Sequence, residues 1–383
     1  MSIILLLVVI FSMLLATMLA ISNSYFVNLK GASVDAERFL LKADEWISNG
    51  SVEFVIDAEF FIQFLGMIQS CLPFDEFWLT AIGIVLYYST FIFIISRFKG
   101  AVVSGFSFLL TILCFLCFLT PSVLLRVSAL LREPYSIFFG VLAVWFAVQF
   151  ITSKRYELLG VAVVCIIFAG LFHKAYLAFI PIFFALIILF SLKINARSLG
   201  FTGLLGVGFA LTALYVAPHF GSLRGGDALS TVISGDFSVA EKIVSYKSGL
   251  DARATYNYGA NFSSPVAVIG TALRANLYFY FSPFPWKISN VLDVFVFIEN
   301  ITRVLSLFLV LKIAFRGYHK EVYFIIFCYL ALNSIWALGT SNYGTGSRHH
   351  MTTMPLLMMA YFMALSFLAR KNVAEGDRKV NKL

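Results

Sequence analysis

The residues of this sequence that could carry out chemistry are mostly basic, and they lie beside long apolar runs. They are Asp35, Arg126, Arg132, Glu133, His173, Lys174, Arg224, Arg274, Arg348, His349 and His350. Guanidinium groups bind phosphate oxygens through paired hydrogen bonds, and carboxylates and histidines can exchange protons. Together these residue types predict a phosphate-binding site with a proton acceptor beside it.

One stretch concentrates this chemistry: SNYGTGSRHH, residues 341–350, holds an arginine and two histidines in tandem. Gly344 and Gly346 are expected to bend the backbone, so that the cations begin the helix of the apolar run 351–369. The positive end of a helix dipole disfavours cations unless an anion joins them, which predicts an anion site. Adjacent histidines diverge on a helix and no cysteine or carboxylate stands near them, so we expect no metal and no cofactor.

Two arginines precede another apolar run, in TPSVLLRVSALLREP. On a helix, Arg126 and Arg132 would lie about 120° apart, whereas Arg126 and Glu133 would share a face. Arg126 could therefore pair with Glu133, or it could join a phosphate site. Arg132 has no obvious partner and is the preferred phosphate ligand.

His173 and Lys174 end an apolar run, where cations suit the helix dipole and can extend towards the interface. His173 could instead exchange a proton or donate to a phosphate, and Lys174 could support that phosphate. Asp35 is the other candidate for a catalytic base. Its alternative interpretation is that of a solvated acid on an amphipathic helix.

The elements that position these residues are membrane helices, since 60% of the chain is hydrophobic, 13% is charged and the mean hydropathy is +0.90. Such a composition indicates an all-α polytopic membrane protein forming a single domain over 1–383. Runs long enough to cross occur at 3–22, 77–96, 101–120, 135–153, 157–173, 175–192, 198–217, 296–315, 321–339 and 351–369. Runs 54–72 and 266–285 are ambiguous.

Lysine and arginine placement resolves the ambiguity, because positive charge collects in cytoplasmic loops. With the N-terminus inside and neither ambiguous run crossing, every inner loop is basic, as is the tail 370–383. The run 54–72 also holds Asp57 and Glu59, which are costly in hydrocarbon. We therefore predict about ten membrane helices, the first retained rather than cleaved, with both termini cytoplasmic.

Two outer loops remain, at 23–76 and 218–295, and each is expected to carry short interfacial or re-entrant helices. In the first, residues 33–50 predict a surface helix that Ser33 could cap. In the second, Pro-Phe-Pro-Trp breaks a helix near the interface, where Trp286 suits the aromatic belt.

At these residues the sequence resembles the EpsG-like branch of the Wzy-type polysaccharide polymerases. The resemblance rests on Asp35-x-x-x-Phe39, Leu131-Arg132-Glu133, Phe172-His173-Lys174-Ala175 and Asn342-Tyr343-Gly344-Thr345 with Arg348. It departs from the family at Phe39, where tyrosine is frequent, and at Glu133, where glutamine is common. Membrane glycosyltransferases of the GT-C type share the early aspartate.

The resemblance implies an enzyme that joins undecaprenyl-pyrophosphate-linked oligosaccharide repeat units on the outer face of the bacterial inner membrane. Arg132 and Arg348 would hold the pyrophosphate, helped by Arg126, Lys174, Arg274 and His349, while aromatics such as Trp286 would stack on sugars. Asp35 or His173 would accept the proton. Implied partners are the lipid-linked sugars, membrane lipids and a chain-length regulator, with no nucleic acid.

Two alternatives stay open on the sequence. A GT-C-type transferase would use a polyprenyl-phosphate sugar, and a flippase-like transporter would move the lipid-linked sugar without reaction. Transporters often carry broken helices near the bilayer midplane. Here the predicted breaks and charges collect at the outer interface, which favours an enzyme.

Overall fold

The protein is an all-α polytopic membrane protein, here in a computed structural model. The structure describes residues 3–25, 33–49, 60–72, 74–98, 112–113, 115–191, 254–255, 258–259, 261, 264–315 and 319–380. The described residues contain no strand, only an isolated antiparallel bridge between Thr255 and Asn342.

Twelve α-helices occur in the described part of the chain. They are α1 (Ile3–Tyr25), α2 (Ser33–Ser48), α3 (Phe60–Cys71), α4 (Glu76–Arg97), α5 (Pro121–Val127), α6 (Glu133–Ser153), α7 (Tyr156–Phe172), α8 (Lys174–Ser191), α9 (Pro265–Phe281), α10 (Val291–Phe315), α11 (Lys320–Gly339) and α12 (Tyr343–Val380). A π-helical turn (Phe115–Leu119) precedes α5, and a 3₁₀ turn (Pro285–Lys287) follows α9.

Seven of these helices are long and apolar enough to cross a membrane: α1, α4, α6, α8, α10, α11 and α12. Each coincides with a run that the sequence predicts. The predicted span 157–173 is also a helix, α7, which is apolar and 17 residues long. The predicted span 198–217 and most of 101–120 lie outside the described residues.

The described part of the first ambiguous run is too short to cross a membrane, and its residues 54–59 lie outside the described residues. Its described part is α3, whose 12 residues rise by about 18 Å, well short of the hydrocarbon thickness of about 30 Å. Helix α2 packs on α3 through Ala36, Ala43 and Trp46, so it lies on the bundle. The residues immediately before Ser33 lie outside the described part of the chain, so the capping role of Ser33 stays a prediction.

The second ambiguous run forms a re-entrant segment. Before α9, Tyr258 donates a hydrogen bond to the carbonyl of Leu338 at the end of α11. Helix α9 then enters the bundle and ends at Phe281, where Asn300, more than two turns into α10, donates to the carbonyl of Ser282. The chain returns to begin α10 at the end it entered from, so the break predicted at Pro-Phe-Pro-Trp is present.

Helix α12 is the centre of the bundle, since 78% of its most apolar window is buried, against 28% for the peripheral helices α1 and α10. It packs against α11, α10 and α6. Close packing extends to α6 and α8, because a Cβ added at Gly140 would lie 2.6 Å from Cε1 of Tyr176. Small residues at such contacts let membrane helices approach closely.

The two ends of the bundle differ in charge. At one end, Lys154 donates to the carbonyl of Ser191, Lys320 donates to that of Ile151, and the guanidinium of Arg97 lies over Phe93. We call this the basic end. The opposite end, here the site end, holds α2, α3 and the connections α5–α6, α7–α8 and α11–α12.

A buried ion pair lies inside the membrane part of α10. Arg303 is 1% exposed and donates to Glu299 across 2.9 Å and to Asn300. Glu299 also accepts a hydrogen bond of 2.6 Å from Ser122 on α5. The pair thereby fixes α5 and the start of α10 to the end of the re-entrant helix, since charged groups in hydrocarbon need such partners.

The charge asymmetry predicts the orientation in the membrane, because the basic end belongs in the cytoplasm. Cys71 is exposed at the site end, and Cys117, Cys165 and Cys328 are buried. In right-side-out vesicles an impermeant maleimide should label native Cys71, whereas in Cys71→Ser/Ser153→Cys it should label the new cysteine only after permeabilisation. Labelling in the reverse order would place the site end inside the cell.

Candidate active site

Arg348 is the centre of a charged cluster at the site end. Helix α12 begins at Tyr343, so Arg348 lies in its second turn, not in front of the helix. The prediction that Gly344 and Gly346 bend the backbone is wrong, because both lie within α12. Asn342 caps this helix, since its Oδ1 accepts hydrogen bonds from the amides of Gly344 and Thr345 at 2.7 and 3.3 Å.

Two carboxylates hold the Arg348 guanidinium. Nε and Nη2 each lie 2.7 Å from Oε1 of Glu133, while Nη1 donates to Oδ2 of Asp35. The two carboxylates differ in exposure: the Glu133 side chain is 0% exposed and that of Asp35 is 46% exposed. The anion that the sequence requires beside Arg348 is therefore present within the protein.

Glu133 can be buried because its position supplies compensation. It is the first residue of α6, where the helix dipole is positive, and Pro134 at the next position suits a helix start. Oε1 faces Arg348 and, at 3.6 Å, Nε2 of His173. Oε2 is buried and receives no hydrogen bond, so Glu133 depends on Arg348 for its charge to be tolerated.

Arg132 precedes Glu133 and stays uncommitted. Its side chain makes no hydrogen bond with the described residues, and Nε is buried without a partner. Its Cζ lies 6.0 Å from the ring centroid of Phe39, at the outer limit of a cation–π contact. Burial lowers the pKa of Arg132, and the charge of Arg348 acts in the same direction, whereas Glu133 and Asp35 oppose it. The Arg132 guanidinium therefore lies close enough to Arg348, Glu133 and Asp35 to interact with their charges.

His173 joins α7 to α8 and has both ring nitrogens engaged. Nδ1 accepts a hydrogen bond of 3.5 Å from the amide of Ala175, in the manner of a helix cap, so the proton belongs on Nε2, which faces Glu133. Burial lowers the pKa of His173 well below its usual range, and the nearby charge of Arg132 adds to the effect. The ring is therefore neutral at pH 7, with its lone pair occupied.

An aromatic wall stands beside these charges. The indole of Trp336 on α11 stacks on His349 at 4.0 Å between centroids, and His173 meets its edge at 4.3 Å. The Nδ1 of His349 lies 2.9 Å from the hydroxyl of Thr340. The predicted site residues His173 and His349 therefore share one wall, with ring centroids 6.1 Å apart.

Arg126 supports the cluster by holding the start of α12 in place. Its Nη2 donates to the carbonyl of Gly344 at 2.6 Å and to the hydroxyl of Ser347 at 3.1 Å, which binds the first turn of α12 to α5. Burial, with the charge of Arg348, lowers the pKa of Arg126 to about 10, so it stays charged at pH 7. The alternative in which Arg126 and Glu133 pair on one helix face is wrong, because they lie on different helices and Glu133 holds Arg348.

The structure gathers Asp35, Arg126, Arg132, His173, Lys174, Arg348 and His349 but places Arg274 and Trp286 elsewhere. Arg274 is exposed on α9 and donates to the carbonyl of Gly259. Trp286 is 77% exposed and stacks on Phe284 after the re-entrant helix. Lys174 follows His173 and adds positive charge beside it.

Sequence reasoning missed Trp336 and Thr340, and it treated Glu133 as a partner of Arg126. Glu133 had a usable signal, since a carboxylate at the boundary of an apolar run needs a cation close by. Trp336 and Thr340 had none, because each looks like an ordinary residue at the end of a membrane helix. Comparison with protein-family models, curated proteins and solved structures gives no match to this chain.

The unequal burial of the two carboxylates predicts unequal effects on stability. Glu133→Gln removes the buried negative charge that faces Arg348, so it should lower the free energy of unfolding by about 3–5 kcal/mol. Asp35→Asn should lower it by about 1 kcal/mol or less, since Asp35 is half-exposed. Reversible unfolding in mixed micelles measures both, and equal losses would contradict the assigned burial.

Proposed function

We propose that the protein is a membrane glycosyltransferase that polymerises undecaprenyl-pyrophosphate-linked oligosaccharide repeat units. The observation that carries the proposal is the gathering of three guanidinium groups, those of Arg126, Arg132 and Arg348, around two carboxylates at one end of a membrane bundle. One positive charge remains in excess, and Arg132 has unused donors. Such a cluster fits an anionic headgroup attached to a lipid.

The chemistry asked of this cluster is modest. Pyrophosphate is a good leaving group, so an enzyme mainly has to stabilise the negative charge that develops as the sugar–phosphate bond breaks. Arg132 and Arg348 supply that charge complement. We assign Arg126 to α12 rather than to the substrate, because its Nη2 donates to Gly344 and Ser347, although its Nε is buried without a hydrogen-bond partner among the described residues.

The attacking sugar hydroxyl also has to lose a proton. His173 is unsuited to accept it, because its lone pair receives the amide of Ala175. Glu133 is fully buried behind Arg348. Asp35 is the half-exposed carboxylate of the cluster, so it is the base we propose. Phe39 is partly exposed near the charges, so a sugar ring could stack on it, whereas Trp336 is buried against His349.

The charge asymmetry supports an outward-facing reaction. With the basic end in the cytoplasm, the cluster faces the outer side of a bacterial inner membrane. The start of α1 and the end of α12 then lie at the cytoplasmic side. Phe367 of α12 stacks on His319 near the basic end, at 3.8 Å between centroids.

A lipid-linked sugar transporter is the second candidate. The re-entrant α9 and the buried pair of Arg303 and Glu299 favour it, since broken helices and intramembrane charges are typical of transport pathways. A GT-C-type enzyme that takes a polyprenyl-phosphate sugar would use the same cluster. The three possibilities differ in the substrate that reacts and in whether the lipid-linked sugar crosses the membrane without reacting.

Purified protein incubated with undecaprenyl-pyrophosphate-linked repeat units should produce a ladder of longer glycans. Arg132→Lys should lose about ten- to a hundredfold in rate while staying folded, since lysine cannot make the paired contacts of a guanidinium. The matched control is Arg155→Lys, an exposed arginine at the basic end.

Three results would contradict this account in different ways. Wild-type turnover by Arg132→Lys would remove Arg132 from the substrate site. Transfer of single sugars from a polyprenyl-phosphate donor, without a ladder, would favour the GT-C alternative. Movement of unreacted lipid-linked sugar across vesicles would favour transport.

A further inference from the structure

The Arg348 guanidinium has two edges that are held with unequal permanence. Its Nε and Nη2 edge faces Glu133, which is 0% exposed and forms its closest ion pair within the described residues with Arg348. Its Nη1 faces Asp35, which is 46% exposed. A buried pair is costly to break, whereas a half-exposed pair is weak because water competes for both partners. The Asp35 contact is therefore the one that another anion can replace.

Arg132 lies next to the replaceable contact. Its guanidinium interacts electrostatically with Asp35, Glu133 and Arg348, and its buried Nε lacks a hydrogen-bond acceptor. An anion in place of the Asp35 carboxylate would meet Nη1 of Arg348 and the unused donors of Arg132. A pyrophosphate has enough oxygens to satisfy both groups, whereas the single carboxylate of Asp35 bonds, among the described residues, to Arg348 alone.

Helix α2 can release Asp35 without unfolding. It is anchored by Ala36, Ala43 and Trp46, which pack against α3 and do not involve the carboxylate. Asp35 lies in the first turn of α2, where a side chain can change rotamer while the rest of the helix stays packed. Departure from Arg348 therefore needs only a local movement, and it removes a contact of the first turn of α2, so the backbone of that turn should loosen.

We propose that Asp35 occupies the pyrophosphate position of the empty site as an internal anion, and that the substrate's pyrophosphate displaces it. The displaced carboxylate then becomes the base. This rests on the proposed function and adds an order to it, since the base is freed only when the leaving group is bound.

The acceptor hydroxyl oxygen forms a bond to the anomeric carbon, and the bond from that carbon to the pyrophosphate oxygen breaks with its electron pair on the pyrophosphate. The hydroxyl proton passes to Asp35. Arg132 and Arg348 hold the charge that appears on the pyrophosphate, and Asp35 later releases its proton to water.

The proposed displacement of Asp35 by pyrophosphate predicts two opposite effects of Asp35→Asn, which removes the competing anion. Calorimetry with inorganic pyrophosphate, and separately with undecaprenyl pyrophosphate, should show binding about fivefold tighter than wild type. Turnover should nevertheless fall by about a hundredfold or more, because the base is gone. The control is Asp44→Asn. Asp44 is an exposed acid nine residues further along α2, on the opposite face of the helix, and its replacement should change neither quantity.

A measurement on the unaltered chain guards against misfolding of the variant. Hydrogen exchange of wild-type protein should speed up in the first turns of α2 when inorganic pyrophosphate binds, while α11 stays unchanged. Unchanged or slower exchange there, or pyrophosphate binding by Asp35→Asn that is equal to or weaker than wild type, overturns the proposal. Tighter binding with full turnover overturns the proton step.

These outcomes separate the inference from the proposed function. If wild-type protein makes no glycan ladder, the polymerase assignment fails, and the binding and exchange measurements still decide whether Asp35 competes with pyrophosphate. If the ladder forms and Asp35→Asn binds pyrophosphate no more tightly than wild type, the proposed displacement of Asp35 is wrong and the polymerase assignment stands.

Discussion

The burial of Glu133 is the constraint around which the site end is built. A carboxylate with no exposed surface, one of whose oxygens has no hydrogen bond, is tolerable only if a cation is fixed against the other oxygen. Arg348 is that cation, and its contact with Glu133 requires the second turn of α12 to lie beside the start of α6. The start of α12, the position of α6 and the connection through His173 are therefore one coupled arrangement.

Supporting contacts hold α12 in that position. Arg126 on α5 binds the first turn of α12, and the hydroxyl of Tyr343 donates to Asp293 near the start of α10 across 2.9 Å. Ser122, one turn before Arg126, connects α5 to Glu299 and so to the buried Arg303. The two charged clusters are thus joined through one short helix. Asp35 is the half-exposed carboxylate of this cluster, which suits the displacement we propose.

The helices were predictable because length and hydropathy are local properties of the chain. The runs that became α1, α4, α6, α8, α10, α11 and α12 read directly as spans, and proline after Phe281 predicted the break of α9. The resemblance at Asp35, Arg132, His173 and Arg348 chose residues that the structure brings together, although it leaves their function a proposal. Local pattern could also show that Arg348 needs an anion.

It could not show which anion, because the partners are 215 and 313 residues away in the sequence. The same limit explains Arg274 and Trp286. Topology places them at the site end, but only packing decides which side of the bundle they occupy. Helix starts shifted for a related reason: Asn342 caps α12 earlier than the apolar run begins, so the two glycines lie in the helix.

The central claim is that Glu133 and Arg348 stabilise one another in a buried place, and a double-mutant cycle tests it most directly. The free energies of unfolding of Glu133→Gln, Arg348→Met, the double variant and the wild type would be measured in the same mixed micelles. The account predicts a coupling energy of about 2–3 kcal/mol, with the double variant more stable than the sum of the single losses implies. Losses that add to within about 0.5 kcal/mol would show that the two side chains do not depend on each other, and the site would not be organised as described.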